Sequence, residues 1–320
     1  HEASCRIRHE AALWSWLPTY DEFVDGLSFV DREKIGVHMV DQGVITSAEW
    51  AAISVDKHMS FFSDAAEFTG DHWIIPLVAV ALYLVMIVVG PMIMANRPPL
   101  PVNGLACAWN WFLAAFSTFG VACTWHCIFT RLRSRGFEST TCGSAMFMSQ
   151  GYVGLAMLLF IYSKLFELID TFFLIAKKAD VIFLHWYHHV TVLLYCWHSH
   201  SVRIPSGIWF AAMNYFVHAI MYSYFAMTQM GPRYRKLVRP YARLITTLQI
   251  SQMFVGLIVN GSIIYFTSLG HACKSSKTNT ILSWLMYLSY FVLFGLLYLR
   301  NYILGTHGKP AGKRAKGKAE

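Results

Sequence analysis

Long unbroken apolar runs, rather than alternating positions, dominate the chain after residue 72. A bilayer crossing takes about 20 apolar helical residues. Seven runs reach that length: roughly 73–94, 104–129, 151–175, 181–199, 206–228, 244–268 and 281–304. None shows the period of two that marks a membrane strand. Backbone in lipid is satisfied only within helices or closed barrels, so the pattern predicts an all-α membrane protein with seven transmembrane helices. Residues 1–72 then form an N-terminal extension of unknown role, 73–304 the membrane domain and 305–320 a basic tail. The extension has no long periodic pattern and is expected to be helical only near 47–68.

Composition agrees with this division. The chain is 56% apolar and 14% charged, whereas soluble domains are about 25% charged. Residues 1–72 hold 13 of the 18 acidic residues, and the rest of the chain holds 21 of the 26 basic ones. Basic residues in such a setting face anionic lipid, and no basic, aromatic-interleaved module suggests nucleic-acid binding. Lys and Arg in the short loops set orientation. With a lumenal N-terminus and a cytosolic C-terminus, the cytosolic segments carry 13 of them, among them Arg233, Arg235, Lys236, Arg239 and Arg243, and the lumenal segments six. The chain opens at His1, as a fragment or processed form would, and residues 1–30 lack the apolar core of a secretory signal.

Polar residues inside the runs change the picture most, because each is costly in lipid and so marks a site. Lys164, Glu167, Asp170 and Thr171 end the third run, and His185, His188 and His189 begin the fourth. Asn214, His218 and Tyr222 lie in the fifth, and Thr246, Gln249 and Gln252 begin the sixth. All fall toward one leaflet, so they describe a pocket open to the cytosol, with lumenal halves almost free of such groups. Helical spacing of three or four places His185 beside His188 and His189, Lys164 beside Glu167, and Asn214 beside His218. Blander roles compete: Gln249 and Gln252 as helix–helix glue, Lys164–Glu167 as a structural ion pair, Tyr215 and Tyr222 as packing aromatics. His198 and His200 are expected to be solvated. Three histidines in five residues are harder to explain structurally.

A His-x-x-His-His pattern suggests either a metal site or metal-free imidazole chemistry. His218 is the one other well-placed imidazole, and His126 falls at the lumenal end of its run. Four imidazoles suffice for a single zinc but not for a diiron centre without carboxylates, so metal-free chemistry is favoured. A neutral imidazole serves as base or nucleophile near neutral pH, and Asn or Gln amides stabilise a thioester oxyanion. That set suits acyl transfer from a CoA thioester, whose acyl chain is apolar and whose CoA is cytosolic.

Four stretches resemble one family. Lys164-Leu-Phe-Glu167-Leu-Ile-Asp170-Thr171 resembles the KxxExxDT motif of very-long-chain fatty acid elongases, and His185-Trp-Tyr-His188-His189 their HxxHH box. Met213-Asn214-Tyr215-Phe-Val-His218-Ala-Ile-Met-Tyr222 is similar to MNYxxHxxMY, and Thr246-Thr-Leu-Gln249-Ile-Ser-Gln252 to TxxQxxQ. The run 183–195 resembles the branch acting on saturated and monounsaturated chains. The resemblance implies decarboxylative Claisen condensation of malonyl-CoA with a long-chain acyl-CoA, giving 3-ketoacyl-CoA, CO2 and CoA. It implies helices two to seven around an acyl tunnel and ping-pong catalysis through an acyl-histidine at His188. His218, His185 and His189 would assist, and Lys164, Glu167, Asp170, Thr171, Asn214, Tyr215, Tyr222, Thr246, Gln249 and Gln252 would form the substrate pocket. No metal or other cofactor is implied. Implied partners are the bilayer, the reductases and dehydratase of the elongation cycle and a possible second copy of the chain.

Among the seven cysteines, Cys142 and Cys273 fall in lumenal loops, where disulfides persist, and the same resemblance supports a bond between them. Cys196 lies two turns deeper than the histidines and is a poor nucleophile candidate. Lys318 and Lys316, third and fifth from the end, resemble the di-lysine retrieval signal of endoplasmic reticulum membrane proteins, a receptor-read address. Asn260-Gly-Ser262 has the glycosylation pattern but lies within a run and is expected to be unmodified. Two other classes remain in competition: a metal-dependent membrane desaturase or hydroxylase, and a seven-span receptor or transporter.

Overall fold

The computed structural model describes residues 57–149 and 151–305, and among them every regular element is helical. In chain order these are α1 Lys57–Asp71, α2 Ile74–Met94, α3 Asn103–Arg135 and the short α4 Glu138–Thr141. After a 3-10 turn come α5 Gly151–Phe166, α6 Ile169–Ala176, α7 Phe183–Ser201, α8 Gly207–Gln229, α9 Pro232–Val238, α10 Ala242–Ser268 and α11 Lys277–Tyr298. The retrieval-type lysines and most of the acidic extension lie outside the described residues.

Five helical segments are long and apolar enough to cross a membrane: Ile74–Met94, Asn103–Arg135, Gly151–Ala176, Pro232–Ser268 and Lys277–Ile303. The chain is a multi-pass membrane protein. Helices α7 and α8, at the other two expected positions, are 19 and 23 residues long. They fall short in apolarity because α7 carries five histidines and α8 carries Asn214, His218 and Gln229.

The burial pattern suits a lipid solvent. Leu82, Val88 and Met92 of α2 and Leu285 and Leu296 of α11 face outward, while Lys164, Glu167, Thr171, Asn214 and Asn260 are buried. That distribution would be ruinous in water, where large exposed apolar patches associate. In hydrocarbon the outward face costs nothing and the inward polar groups must pair among themselves.

Each of six elements packs against its neighbours in turn: α3 on α5, α5 on α7, α7 on α11, α11 on α10, α10 on α8 and α8 back on α3. The α3–α8 contact is the most extensive. Its closeness depends on Gly120, where a Cβ would sit inside the ring of Tyr215, the small-residue approach typical of membrane helices. Helix α2 stands beside this set and touches α6 and α7.

Several expectations need correction. Helix α3 continues to Arg135, so Arg131, Arg133 and Arg135 extend a helix instead of forming a loop; 33 residues span about 50 Å. The third run is two helices, broken at Glu167–Leu168. Asp170 and Thr171 bond back to the residue three earlier, Glu167 and Leu168, at 3.1 and 3.3 Å, so the helix tightens there. Residues 57–71, the described end of the extension, form a docked helix whose packing the sequence reading left open. Helix α1 packs on α7 and α5, with Trp197 Nε1 donating to the Thr69 carbonyl at 2.6 Å and His200 Nδ1 bonded to Thr69 Oγ1 at 3.1 Å. His198 and His200 are therefore half-buried, and Nε2 of His198 is enclosed without a partner, contrary to the expected solvation. Nor is the interior toward Cys142 apolar throughout: Ser283 donates to Asn260 at 2.8 Å and Asn279 to Tyr195 at 3.3 Å, all four residues being buried. Asn260 is 1% exposed, so its glycosylation pattern is inaccessible in the fold.

Candidate functional site

The break at Glu167–Leu168 organises the site. Ending α5 there lets the Lys164 ammonium turn onto Glu167 Oε1 at 2.7 Å while Ser163 Oγ donates to the same oxygen at 3.0 Å. Lys164 and Glu167 are 2% and 3% exposed. Lys164 Nζ also donates to Asn214 Oδ1 at 3.1 Å and lies 4.2 Å from the centroid of the Phe160 ring. Asn214 in turn bonds His218 Nε2 through its amide nitrogen at 3.1 Å. One continuous polar path thus links α5 to His218 on α8, and every member of it is buried.

Beyond the break, α6 presents two further groups. Asp170 accepts from Trp109 Nε1 on α3 and from the Tyr222 hydroxyl on α8, each at 2.8 Å. Thr171 Oγ1 bonds His185 Nε2 at 2.8 Å and the Tyr83 hydroxyl at 2.8 Å. Asp170 therefore ties three helices together, whereas Thr171 meets the histidine cluster directly.

The three imidazoles occupy the first two turns of α7. His185 and His189 stack edge-on with centroids 4.5 Å apart, and His188 lies 5.8 Å from His189. His188 also packs against Tyr290 of α11 at 4.9 Å. The Tyr290 hydroxyl donates to the His188 carbonyl at 3.3 Å and bonds Thr191 Oγ1 at 2.5 Å, fixing the helix under the ring. His188 Nδ1 is buried with no hydrogen-bond partner. His218 is in electrostatic range of both His188 and His189, so the two histidine-bearing helices face one interior.

Not every expected residue joins this centre. Tyr215 donates to the Ala156 carbonyl at 2.7 Å, and its ring packs on Phe160 and Phe116 in the core, which favours the packing role. Thr246 Oγ1 donates to the Ala242 carbonyl at 3.2 Å and pairs with the Tyr302 hydroxyl at 3.3 Å. Gln249 reaches Met221 Sδ at 3.4 Å, and Gln252 is buried and bonded to Tyr287. Cys196 sits in the apolar core. At the opposite end Cys142 and Cys273 form a disulfide with Cα atoms 4.1 Å apart. Among the described residues no group of three His, Cys, Asp or Glu side chains converges as a metal site.

Sequence reasoning missed Tyr83, Trp109, Ser163 and Tyr290. Tyr83 is the one buried hydroxyl on an otherwise apolar helix, a faint signal; Tyr290 is one of several polar residues on the inward face of α11, and Ser163 adjoins the lysine of the motif. Trp109 gives none.

The model of the family described as ELO: GNS1/SUR4 matches residues 68–310. A Trypanosoma cruzi protein named fatty acid elongase 3 is 39% identical over 275 residues, covering 75% of this chain and 90% of its own length. A Gallus gallus protein named very long chain fatty acid elongase 6 is 38% identical over 240 residues, covering 75% and 89%. A Mus musculus protein named very long chain fatty acid elongase 3 is 35% identical over 252 residues, covering 79% and 91%.

Proposed function

The chain belongs to the ELO (GNS1/SUR4) family and is a condensing enzyme of fatty acid elongation; from that premise we propose that it joins malonyl-CoA to a long-chain acyl-CoA through an acyl-imidazole at His188. The observation that carries the assignment is the unpartnered Nδ1 of His188, enclosed within the cluster. The Nε2 atoms of His185 and His218, by contrast, are each engaged, by Thr171 and by Asn214. A buried ring nitrogen without a partner costs free energy in the resting state, and in the tautomer that leaves it unprotonated an incoming carbonyl carbon relieves that cost.

In this scheme an imidazole nitrogen of His188 attacks the thioester carbonyl. The oxyanion collapses, and the C–S bond breaks to release CoA thiolate, which takes the proton lost from the other ring nitrogen of His188, relayed by a neighbouring imidazole. Malonyl-CoA then loses CO2, its C–C bonding pair becoming the enolate of acetyl-CoA. That carbon attacks the acyl-imidazole, and the C–N bond breaks to give 3-ketoacyl-CoA and free His188, whose departing nitrogen takes a proton from water at the mouth of the site. Neither half needs a metal or a redox cofactor. His218, held by Asn214, stands opposite to orient the acyl carbonyl or the malonyl carboxylate, and the Asn214 amide and Lys164 supply donors and positive potential to developing oxyanions.

The six-member cycle of helix contacts supports a ring of α3, α5 with α6, α7, α8, α10 and α11 around an acyl tunnel, with α2 as the seventh span outside it. The loop charge bias supports histidines at the cytosolic end and the disulfide at the lumenal end, in the endoplasmic reticulum. The reductases and dehydratase of the cycle are proposed partners. Membranes bearing the protein should extend added acyl-CoA with labelled malonyl-CoA, and His188→Ala should abolish incorporation. Wild-type rates in His188→Ala would reject the assignment.

A further inference from the structure

We propose that Tyr83, on the helix outside the ring, is a positioning residue for the histidine cluster, its hydroxyl acting through Thr171 to fix the ring of His185. The proposal rests on the reading that this cluster is the reaction centre.

Helix α2 faces mostly outward, with Ala79, Val80, Met86 and Ile87 partly buried beside Tyr83. Within it only Pro76, Tyr83 and Met94 are buried. Leu82 and Leu84, flanking the tyrosine, are 66% and 40% exposed, whereas Tyr83 is 2% exposed. A Phe would satisfy such an apolar contact with Leu168 and Leu193. The hydroxyl is what needs explaining, because an unpaired one buried in an apolar setting is penalised.

That hydroxyl bonds Thr171 Oγ1, and Thr171 Oγ1 bonds His185 Nε2, both at 2.8 Å. Threonines elsewhere in these helices, such as Thr118, Thr124 and Thr267, turn their hydroxyls back to the carbonyl four residues earlier. Thr171 instead uses its hydroxyl between helices, with α2 on one side and α7 on the other. It follows the break after Glu167 and is 0% exposed, so no water competes for it. Two hydroxyls in series run in one sense or the other: Tyr83 to Thr171 to a basic Nε2, or the reverse with Nε2–H donating. In either sense the tyrosine completes the chain and removes Thr171's freedom to rotate. The Tyr83 ring also lies 6.2 Å from His189, whose own ring meets His185 at 4.5 Å. Tyr83 therefore bears on two of the three imidazoles.

The test is steady-state elongation by the full chain in lipid nanodiscs, with His185→Ala measured alongside and the acylated fraction titrated to count folded sites. His185→Ala should be inactive. Tyr83→Phe, which keeps the ring, should lower kcat per folded site about tenfold with both KM values within about twofold, because misorientation costs rate rather than binding. Thr171→Val should do the same, Thr171→Ser should restore most of the rate, and the double variant Tyr83→Phe/Thr171→Val should be no slower than Thr171→Val alone. Wild-type kcat per folded site in Tyr83→Phe, with His185→Ala inactive, would overturn the proposal. So would multiplicative losses in the double variant. Full activity in His185→Ala would overturn its premise, a different failure. No elongation by the wild type would refute the reaction itself and remove the ground for the proposal.

Discussion

Replacing Glu167 with Gln isolates the electrostatics of the site. The substitution keeps an oxygen near the Lys164 ammonium, now 2.7 Å away, but removes its countercharge in a place where both side chains are at most 3% exposed. What remains around the ammonium is the Asn214 carbonyl oxygen at 3.1 Å and the Phe160 ring. Removing one partner of a buried pair leaves an uncompensated charge and costs about 3–5 kcal/mol. For a domain of this size each kcal/mol moves the midpoint by about 2–4 °C, so Glu167→Gln should unfold roughly 6–20 °C earlier. Removing both charges with Lys164→Met/Glu167→Leu should recover most of that loss, since a buried pair is about neutral against well-packed apolar residues. Activity should not return with it, because the double variant also loses the Lys164–Asn214 bond that orients the amide holding His218. The assay is thermal unfolding of detergent-purified protein followed by tryptophan fluorescence, completed as a double-mutant cycle. An unchanged midpoint in Glu167→Gln would show that the pair is not dry. A double variant as unstable as the single would show that unpaired charge is not the source of the cost.

Other expectations are more local. Gly120→Ala should push Tyr215 aside and loosen α3 from α8, costing about 1–3 kcal/mol; an unchanged melting temperature would contradict that close approach. Reducing Cys142–Cys273, which links positions 131 residues apart, should cost about 2–4 kcal/mol by freeing the unfolded chain. Identical melting with and without reductant would refute it. Thr69→Val removes the hydroxyl that His200 and Tyr162 share and should destabilise the docked α1 by about 0.5–1.5 kcal/mol per lost bond. It should appear as earlier proteolysis near residues 57–71, and wild-type resistance would show that the hydroxyl contributes nothing.

The sequence carried the site's chemistry further than its architecture. Lys164, Glu167, Asn214 and His218 were legible as a group because each is an expensive polar side chain on an apolar helix. Such residues persist only when they pair or act, and here they pair with one another. Gln249 and Thr246 looked identical by that criterion, yet they are spent on Met221, Tyr302 and a backbone carbonyl, as a composition rule cannot foresee. The break at Glu167–Leu168 was invisible, since Glu and Leu both favour helix and the tightening follows from the tertiary bonds of Glu167 and Asp170. Docking of α1 was missed because its anchor is Thr69, a residue without weight in periodicity, meeting the indole of Trp197 across 128 positions. The two weakly apolar helices, α7 and α8, lose hydropathy through the very histidines and amides that make the site.

The central claim concerns a covalent bond at His188, and peptide mass spectrometry after rapid quench tests it. Protein given a long-chain acyl-CoA without malonyl-CoA should release CoA and carry the acyl mass on the peptide containing His188. Added malonyl-CoA should discharge that mass as 3-ketoacyl-CoA. An acyl group found on another residue, or steady elongation with the His188 peptide never modified, would contradict the account.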